Sequence, residues 1–264
     1  MRLQGKVAIV TGGVGGIGQG ICRVLAAEGA AVAVADLDRE GAEKVAADLG
    51  GGRAVGLRAD VTDAASVQAM VDAVRQRLGG LDILVNNAGA NCRELGNPLD
   101  AVSEAEWDRV VAVNLKSVFL VSRVVVPHLK AQCSGKIVNI ASVAGRVANE
   151  YVPHYCAAKA GVINFTHALA KELAPYNVNV NAVCPGLVYT KFWAEGHGPR
   201  FAERRPDLKG LDPRAVFERF LERGVLKREQ TPEDIGKAVA FFASDDARNI
   251  TGQGLNVDSG FIMY

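Results

Sequence analysis

Val7-Ala8-Ile9-Val10-Thr11-Gly12-Gly13-Val14-Gly15-Gly16-Ile17-Gly18 sits almost at the start of the chain and specifies a strand, a tight turn and the start of a helix. Val7 to Thr11 is an apolar run of strand length. The glycine-rich octet Thr11 to Gly18 follows at once, and an amphipathic segment, Ile17 to Glu28, follows that without a gap. Glycines between a strand and a helix permit a tight turn and let backbone N–H groups and the helix N-terminus approach a pyrophosphate. Such an octet alone is equally a flexible turn, but here the flanking strand and helix supply the context that the motif requires. The next strand, Ala31 to Asp36, ends on a carboxylate 18 residues beyond Gly18. A carboxylate there accepts hydrogen bonds from an adenosine ribose 2'-OH and repels a 2'-phosphate. No Lys or Arg occupies Gly13 to Gly16 or Leu37, although Arg39 is near, so NAD is favoured over NADP. The structural alternative is that Asp36 only caps the following helix.

Outward from this unit, strand-length runs alternate with helix-length amphipathic segments. Arg39 to Leu49, Ala54 to Arg58, Ala64 to Leu78, Ile83 to Val85, a long stretch from about Glu104 to His128, Lys136 to Ile140, His154 to Ala174 and Asn179 to Val183 continue the pattern. The strands read as nearly unbroken Val, Ile, Leu and Ala, as expected when both faces are buried. This predicts an α/β fold, a doubly wound parallel sheet of the Rossmann type. No repeat or linker divides the chain, so residues 1–264 are expected to form one domain. From Lys191 to Glu229 the rhythm breaks, with ten Lys and Arg, seven Asp and Glu, and Pro199, Pro206 and Pro213. An insertion after a strand of an open sheet is placed to cover a substrate, so 191–229 is read as a lid, a solvated helical pair being the alternative.

Composition removes other classes of function. Thirty Lys plus Arg against 29 Asp plus Glu leaves a net charge of +1, which gives no basis for nucleic-acid or membrane binding. The apolar stretch around Ala30 to Ala35 is far short of a bilayer span of ~20 residues. The N-terminus lacks a secretory pattern, so the expected compartment is the cytoplasm. Five cysteines, with no CxxC spacing, argue for reduced thiols and no metal site.

Tyr155 and Lys159 stand four residues apart in a helical pattern and so share a face. Ser142 ends the preceding strand. A tyrosine is a poor base at neutral pH unless a cation stabilises its phenolate, and Lys159 is placed to do so. Asn114 interrupts the apolar run Val110 to Val113, where an amide needs partners. His154 is rotated by about 100° from Tyr155 and is expected at a surface or interface. Cys156 and Cys184 read as buried small hydrophobes and Trp107 as packing.

Taken together, these residues resemble the short-chain dehydrogenase/reductase family from about Lys6 to the C-terminus. The matching pieces are Thr11 to Gly18, Asp60-Val61, Asn86-Asn87-Ala88-Gly89, Asn114, Ser142, Tyr155-Cys156-Ala157-Ala158-Lys159 and Pro185-Gly186. The resemblance implies a catalytic tetrad in which Tyr155 moves the hydroxyl proton and Ser142 hydrogen-bonds the reacting oxygen. Lys159 would bind the nicotinamide ribose and lower the Tyr155 pKa, while Asn114 holds a water. It also implies cofactor contacts at Gly12, Gly16, Ile17, Gly18, Asp36, Leu37, Asp60, Val61, Asn87, Ala88, Gly89, Tyr155, Lys159, Pro185, Gly186, Val188 and Thr190.

The stretch Cys184 to Glu195 is similar to acetoin/diacetyl reductases and sorbitol-type polyol dehydrogenases. That similarity points to a small diol, polyol or hydroxyketone. The expected substrate contacts are Ser142, Ala144, Asn149, Tyr155, Gly186 and Trp193, with Glu150 and Phe192 nearby. A 3-oxoacyl-carrier-protein reductase and a silent NAD-binding scaffold are the competing readings. The resemblance further implies a homotetramer built on the two long helices, with the tail Phe261 to Tyr264 packed on a neighbour.

Overall fold

The computed structural model describes residues 1–50 and 53–264. The apolar runs become strands β1 (Val7–Thr11), β2 (Ala31–Asp36), β3 (Ala54–Arg58), β4 (Ile83–Asn86), β5 (Gly135–Ile140), β6 (Val178–Pro185) and β7 (Gly254–Val257). All seven join one parallel sheet in the order β3-β2-β1-β4-β5-β6-β7. Apolar pairs hold the register, with Val10 opposite Val34 on one side and Val85 on the other. The helices are α1 (Gly16–Ala27), α2 (Arg39–Asp48), α3 (Ala64–Leu78), α4 (Glu104–Val111), α5 (Ser117–Gln132), α6 (Pro153–Leu173), α7 (Gly198–Arg204), α8 (Pro213–Leu221) and α9 (Pro232–Ala243). Ile21 and Leu25 of α1, Ala42 of α2 and Val239 of α9 bury one face of the sheet. Val71 of α3, Val125 of α5 and Leu173 of α6 bury the other. The chain therefore adopts the doubly wound α/β fold that its alternating pattern predicts.

Strand order reverses between β1 and β4, and a crevice opens beyond their carboxyl ends at such a reversal. Thr11 and Asn87 lock this point. The Thr11 hydroxyl accepts from the backbone N–H groups of Asn87 and Ala88, both at 3.1 Å. In return the Asn87 amide donates to the carbonyls of Thr11 and Gly12, both at 3.0 Å.

A π-helical turn, Ala112–Lys116, joins α4 to α5 into a continuous rod from Glu104 to Gln132. An 18-residue window within its 29 residues reaches a mean hydropathy of 1.7, long and apolar enough to cross a bilayer, although no unbroken apolar run of that length marks it in the sequence. The reason is tertiary: Val118, Val121, Val125 and Leu129 are buried within the sheet's helical layers, so the rod is a core helix.

Residues 191–229 lie outside the sheet, as predicted. They fold into a π-helical turn (Phe192–His197), α7, a short turn (Pro206–Leu208) and α8. Their own core joins Trp193, Phe201, Phe217 and Phe220, with ring centroids 5.2–5.9 Å apart. That core packs on Cys92, Leu95, Val110 and Val152. Much of the charge in the segment is paired within it, Arg205 with Asp207 at 2.8 Å and Arg214 with Glu229 at 2.7 Å. A bridge between Val188 and Gln230 closes the excursion, and the capping box of Thr231 and Asp234 starts α9.

Candidate active site

A cavity of about 950 Å³ runs from the glycine turn, past the ends of β4 and β5, to the inner wall of the 191–229 segment. Its first half is a cradle that only glycine can line. Gly12 has φ +64°, and a Cβ there would sit 2.8 Å from the Ala88 Cα. A Cβ on Gly18 would press into the Gly12 carbonyl and come to 2.9 Å from the Asn87 amide. Helix α1 starts at Gly15 with no side-chain cap and no acid in its first turn, leaving N–H groups and the positive end of the dipole for an anionic group.

At the end of β2, Asp36 accepts from the backbone N–H groups of Val14 at 3.0 Å and Asp38 at 3.3 Å. Asp38, accepting from Gly41 N–H at 3.0 Å, is the cap of α2, so the capping alternative for Asp36 fails. The Arg39 guanidinium is held by Glu43 at 2.8 Å. Leu37, 60% exposed, offers an apolar face on the cavity wall. Gly16, Ile17, Val61, Ala88, Gly89, Pro185, Gly186, Val188 and Thr190 also line the cavity. Asp60 is not among the lining residues, although Ala59 and Val61 are; its carboxylate is held by Thr62 N–H at 2.9 Å and the Thr62 hydroxyl at 2.6 Å. The glycine cradle, the free helix end and the carboxylate closing β2 together fit a dinucleotide.

The second half brings the four predicted polar residues together. Ser142 stands just past β5, and its hydroxyl accepts from Ala144 N–H at 3.1 Å. Tyr155, in the first turn of α6, shares a hydrogen bond with Ser142. Burial still drives the Tyr155 pKa well above its ordinary value. One turn later, Lys159 is 4% exposed, and its ammonium stands 5.7 Å from the Tyr155 ring centroid. Burial lowers the Lys159 pKa to about 8. One of its three N–H bonds goes to the Ile140 carbonyl at 2.9 Å.

Asn114, on the π-helical turn, donates to the carbonyls of Val110 at 3.0 Å and Ala90 at 3.2 Å and accepts from Ala90 N–H at 3.3 Å. Its amide therefore braces the loop after β4, directly beneath Gly89, where a Cβ would sit 3.0 Å from the Asn114 oxygen.

Ala144, Asn149, Gly186, Phe192 and Trp193 line this half, as expected for substrate contacts. Cys156 and Cys184 are beside it, but burial raises both thiols, which keeps them protonated and unreactive. His154 requires a correction. It is 0% exposed rather than a surface residue, because α4 packs on the first turn of α6. Its ring stands 3.9 Å from Glu106 and faces Trp107, which remains 41% exposed. Sequence reasoning missed the aromatic wall of Tyr151, His197, Phe201 and Phe220. The last three belong to the stretch read as a lid from its charge and prolines, and no local periodicity marks them as facing the cavity.

The chain was compared with known proteins. The family model described as short chain dehydrogenase matches residues 6–197. A 4-formylbenzenesulfonate dehydrogenase of Comamonas testosteroni is 45% identical over 98% of this chain and 99% of its own length. A 3-oxoacyl-(acyl-carrier-protein) reductase of Thermotoga maritima is 37% identical over the full length of both. A D-threitol dehydrogenase of Mycolicibacterium smegmatis is 40% identical over 99% of this chain and 95% of its own.

Proposed function

The chain belongs to the short-chain dehydrogenase family, whose members here are oxidoreductases of alcohols and ketones, and from that premise we propose an NAD(H)-dependent enzyme interconverting a secondary alcohol and its ketone. The observation that carries the proposal is the convergence of Ser142, Tyr155 and Lys159 at the end of a cradle closed by Asp36. Bound there, nicotinamide supplies the hydride acceptor or donor. The remaining work belongs to the chain. Tyr155 takes the hydroxyl proton during oxidation and returns it during reduction, Ser142 hydrogen-bonds the same oxygen, and the Lys159 ammonium favours the phenolate over the phenol. The two N–H bonds of Lys159 not given to Ile140 suit the hydroxyls of the nicotinamide ribose. Asn114 positions the loop that borders both.

The substrate reading is a small diol, polyol or hydroxyketone. The D-threitol dehydrogenase among the relatives supports it. A 3-oxoacyl-carrier-protein reductase is the second reading, favoured by the Thermotoga maritima relative. That reaction uses NADPH as a rule, and the Asp36 carboxylate speaks against a 2'-phosphate. Initial rates with NAD and NADP across diols, polyols, hydroxy acids and simple secondary alcohols test the reading; turnover confined to NADP(H) or to acyl thioesters would sink it. Asp36→Asn keeps the shape and removes the charge. The preference for NAD over NADP is expected to narrow by about 10–100-fold, the worth of one charge-assisted hydrogen bond and one repulsion. Ratios of kcat/KM for the two cofactors measure it.

We also propose that the enzyme is a cytoplasmic homotetramer. Trp107 at 41% and Phe119 at 43% exposure leave apolar surface on the long rod, and the tail ends on Met263 and Tyr264 at 80% and 78%. Sedimentation velocity at micromolar concentration is expected to give a single tetrameric species; a monomer would end the proposal.

A further inference from the structure

His197 has no place in the chemistry derived so far. It closes the π-helical turn that opens the 191–229 segment and lines the substrate half of the cavity. Its ring meets Tyr155 edge to face, with centroids 6.1 Å apart. Phe192 at 4.9 Å, Phe201 at 6.0 Å and Trp193 at 6.3 Å complete an aromatic cage around it. Inside that cage Nε2 is shut off from solvent and has no hydrogen-bond partner. Buried polar nitrogens are almost always paired, so an unpaired one beside a ligand cavity points to a partner that arrives with the ligand. Burial, aided by the nearby Arg200 guanidinium, lowers the His197 pKa to about 4. The imidazole is therefore neutral at pH 7 and offers one donor and one acceptor. A half-turn of the ring about its last torsion exchanges nitrogen and carbon positions without disturbing the cage.

Of the other polar groups of this half, several are engaged or exposed. The Asn149 oxygen accepts from Tyr151 N–H at 3.1 Å, and Arg205 is held by Asp207. Glu150, Lys191 and Arg223 are exposed. His197 thus stands with Tyr155, Ser142 and Tyr151 among apolar rings, close enough to Tyr155 for one small molecule to touch both.

We propose, resting on the dehydrogenase reading above, that His197 is a specificity-determining residue whose imidazole hydrogen-bonds a second oxygen on the carbon next to the reacting carbinol. The preferred substrates are then vicinal diols and α-hydroxyketones with apolar flanks. Trp193, Phe201 and Phe220 would hold the flanking carbons, and a long polyol would leave its remaining hydroxyls against these rings without partners.

The test compares NADH formation from 2,3-butanediol and from 2-butanol, its single-hydroxyl match, by the wild type, His197→Phe and His197→Gln, with thermal melts recorded for each. His197→Phe keeps a ring in the cage and removes both nitrogens. It is expected to raise KM for the diol by about tenfold or more, as a site built to bond a hydroxyl loses when the bond is removed, and to leave kcat/KM for 2-butanol within about twofold. His197→Gln restores a hydrogen-bonding group and is expected to recover part of the diol preference. If His197→Phe does not fold, His197→Leu reads the same ratio. Equal losses on both alcohols in a folded variant, or an unchanged diol KM, overturn the assignment. A wild type that oxidises 2-butanol and ignores the diol overturns it while leaving the dehydrogenase reading intact. A wild type silent with every alcohol overturns both.

Discussion

Tyr155→Phe is expected to lower kcat/KM by about 10²–10⁴-fold, the usual contribution of a positioned acid or base, while NADH affinity stays within a few-fold of wild type. The Tyr155 hydroxyl bonds the reacting oxygen and can both take and return a proton; Ser142 can share a hydrogen bond but has no cation behind it. Burial alone makes Tyr155 a worse base than a free tyrosine, since it raises the phenol pKa. The Ser142 hydrogen bond opposes that penalty, and the Lys159 ammonium stands 5.7 Å from the ring. Removing the oxygen removes the proton carrier without touching the glycine cradle or Asp36, so catalysis and cofactor binding should separate cleanly. Single-turnover rates and NADH fluorescence titration measure the two. A variant with near-normal turnover would dismiss Tyr155 as the proton carrier; one that lost turnover and kept its biological role would revive the scaffold reading.

Lys159→Met is the second large effect, and it carries a pH signature. Turnover is expected to fall by about 10²-fold or more, because the phenolate loses the cation one helical turn away. Stability should move differently. The Lys159 pKa in the folded chain, about 8, lies below the ordinary value near 10.4 that it regains on unfolding. Below pH 8 both states carry the proton, and the folded state bears the full penalty of a buried ammonium. Between pH 8 and 10 the folded chain releases this proton first, so the unfolded state holds more protons and wild-type stability rises with pH. At 1.36 kcal/mol per pH unit the rise is about 3 kcal/mol. Lys159→Met has no such proton. The difference in unfolding free energy between wild type and Lys159→Met should therefore shift in favour of the wild type by about 2–3 kcal/mol between pH 7 and 10. Tyr155 titrates in both proteins and largely cancels. Denaturant curves at a series of pH values check this, and parallel profiles would refute it.

Where local pattern and burial point the same way, the fold is legible before any coordinates. Val7 to Gly18 specifies a strand, a turn and a helix by itself, and Asp36, Ser142, Tyr155 and Lys159 fall at strand ends or on the first two turns of a helix, positions that parallel-sheet topology makes convergent. The failures share a cause. On an isolated helix His154 points away from Tyr155 toward solvent, whereas its burial is decided by α4 packing on α6. His197 and Phe201 face the cavity because a π-helical turn resets the helix phase just before them, and one inserted residue leaves no periodic trace. Asp60 follows the same logic at smaller scale. The strand end brings its neighbours Ala59 and Val61 to the cavity, while its own carboxylate turns to Thr62.

The separate aromatic core of residues 191–229 has an evolutionary consequence. Phe217, Phe220 and Trp193 take their stability from one another and from Val152 and Leu95, not from the sheet layers that hold the glycine cradle. Mutations that reshape this cluster can alter which molecule is accepted without loosening the grip on the nucleotide. Such a chain can diversify its diet one helical turn at a time, while the half that carries the chemistry stays under unbroken selection.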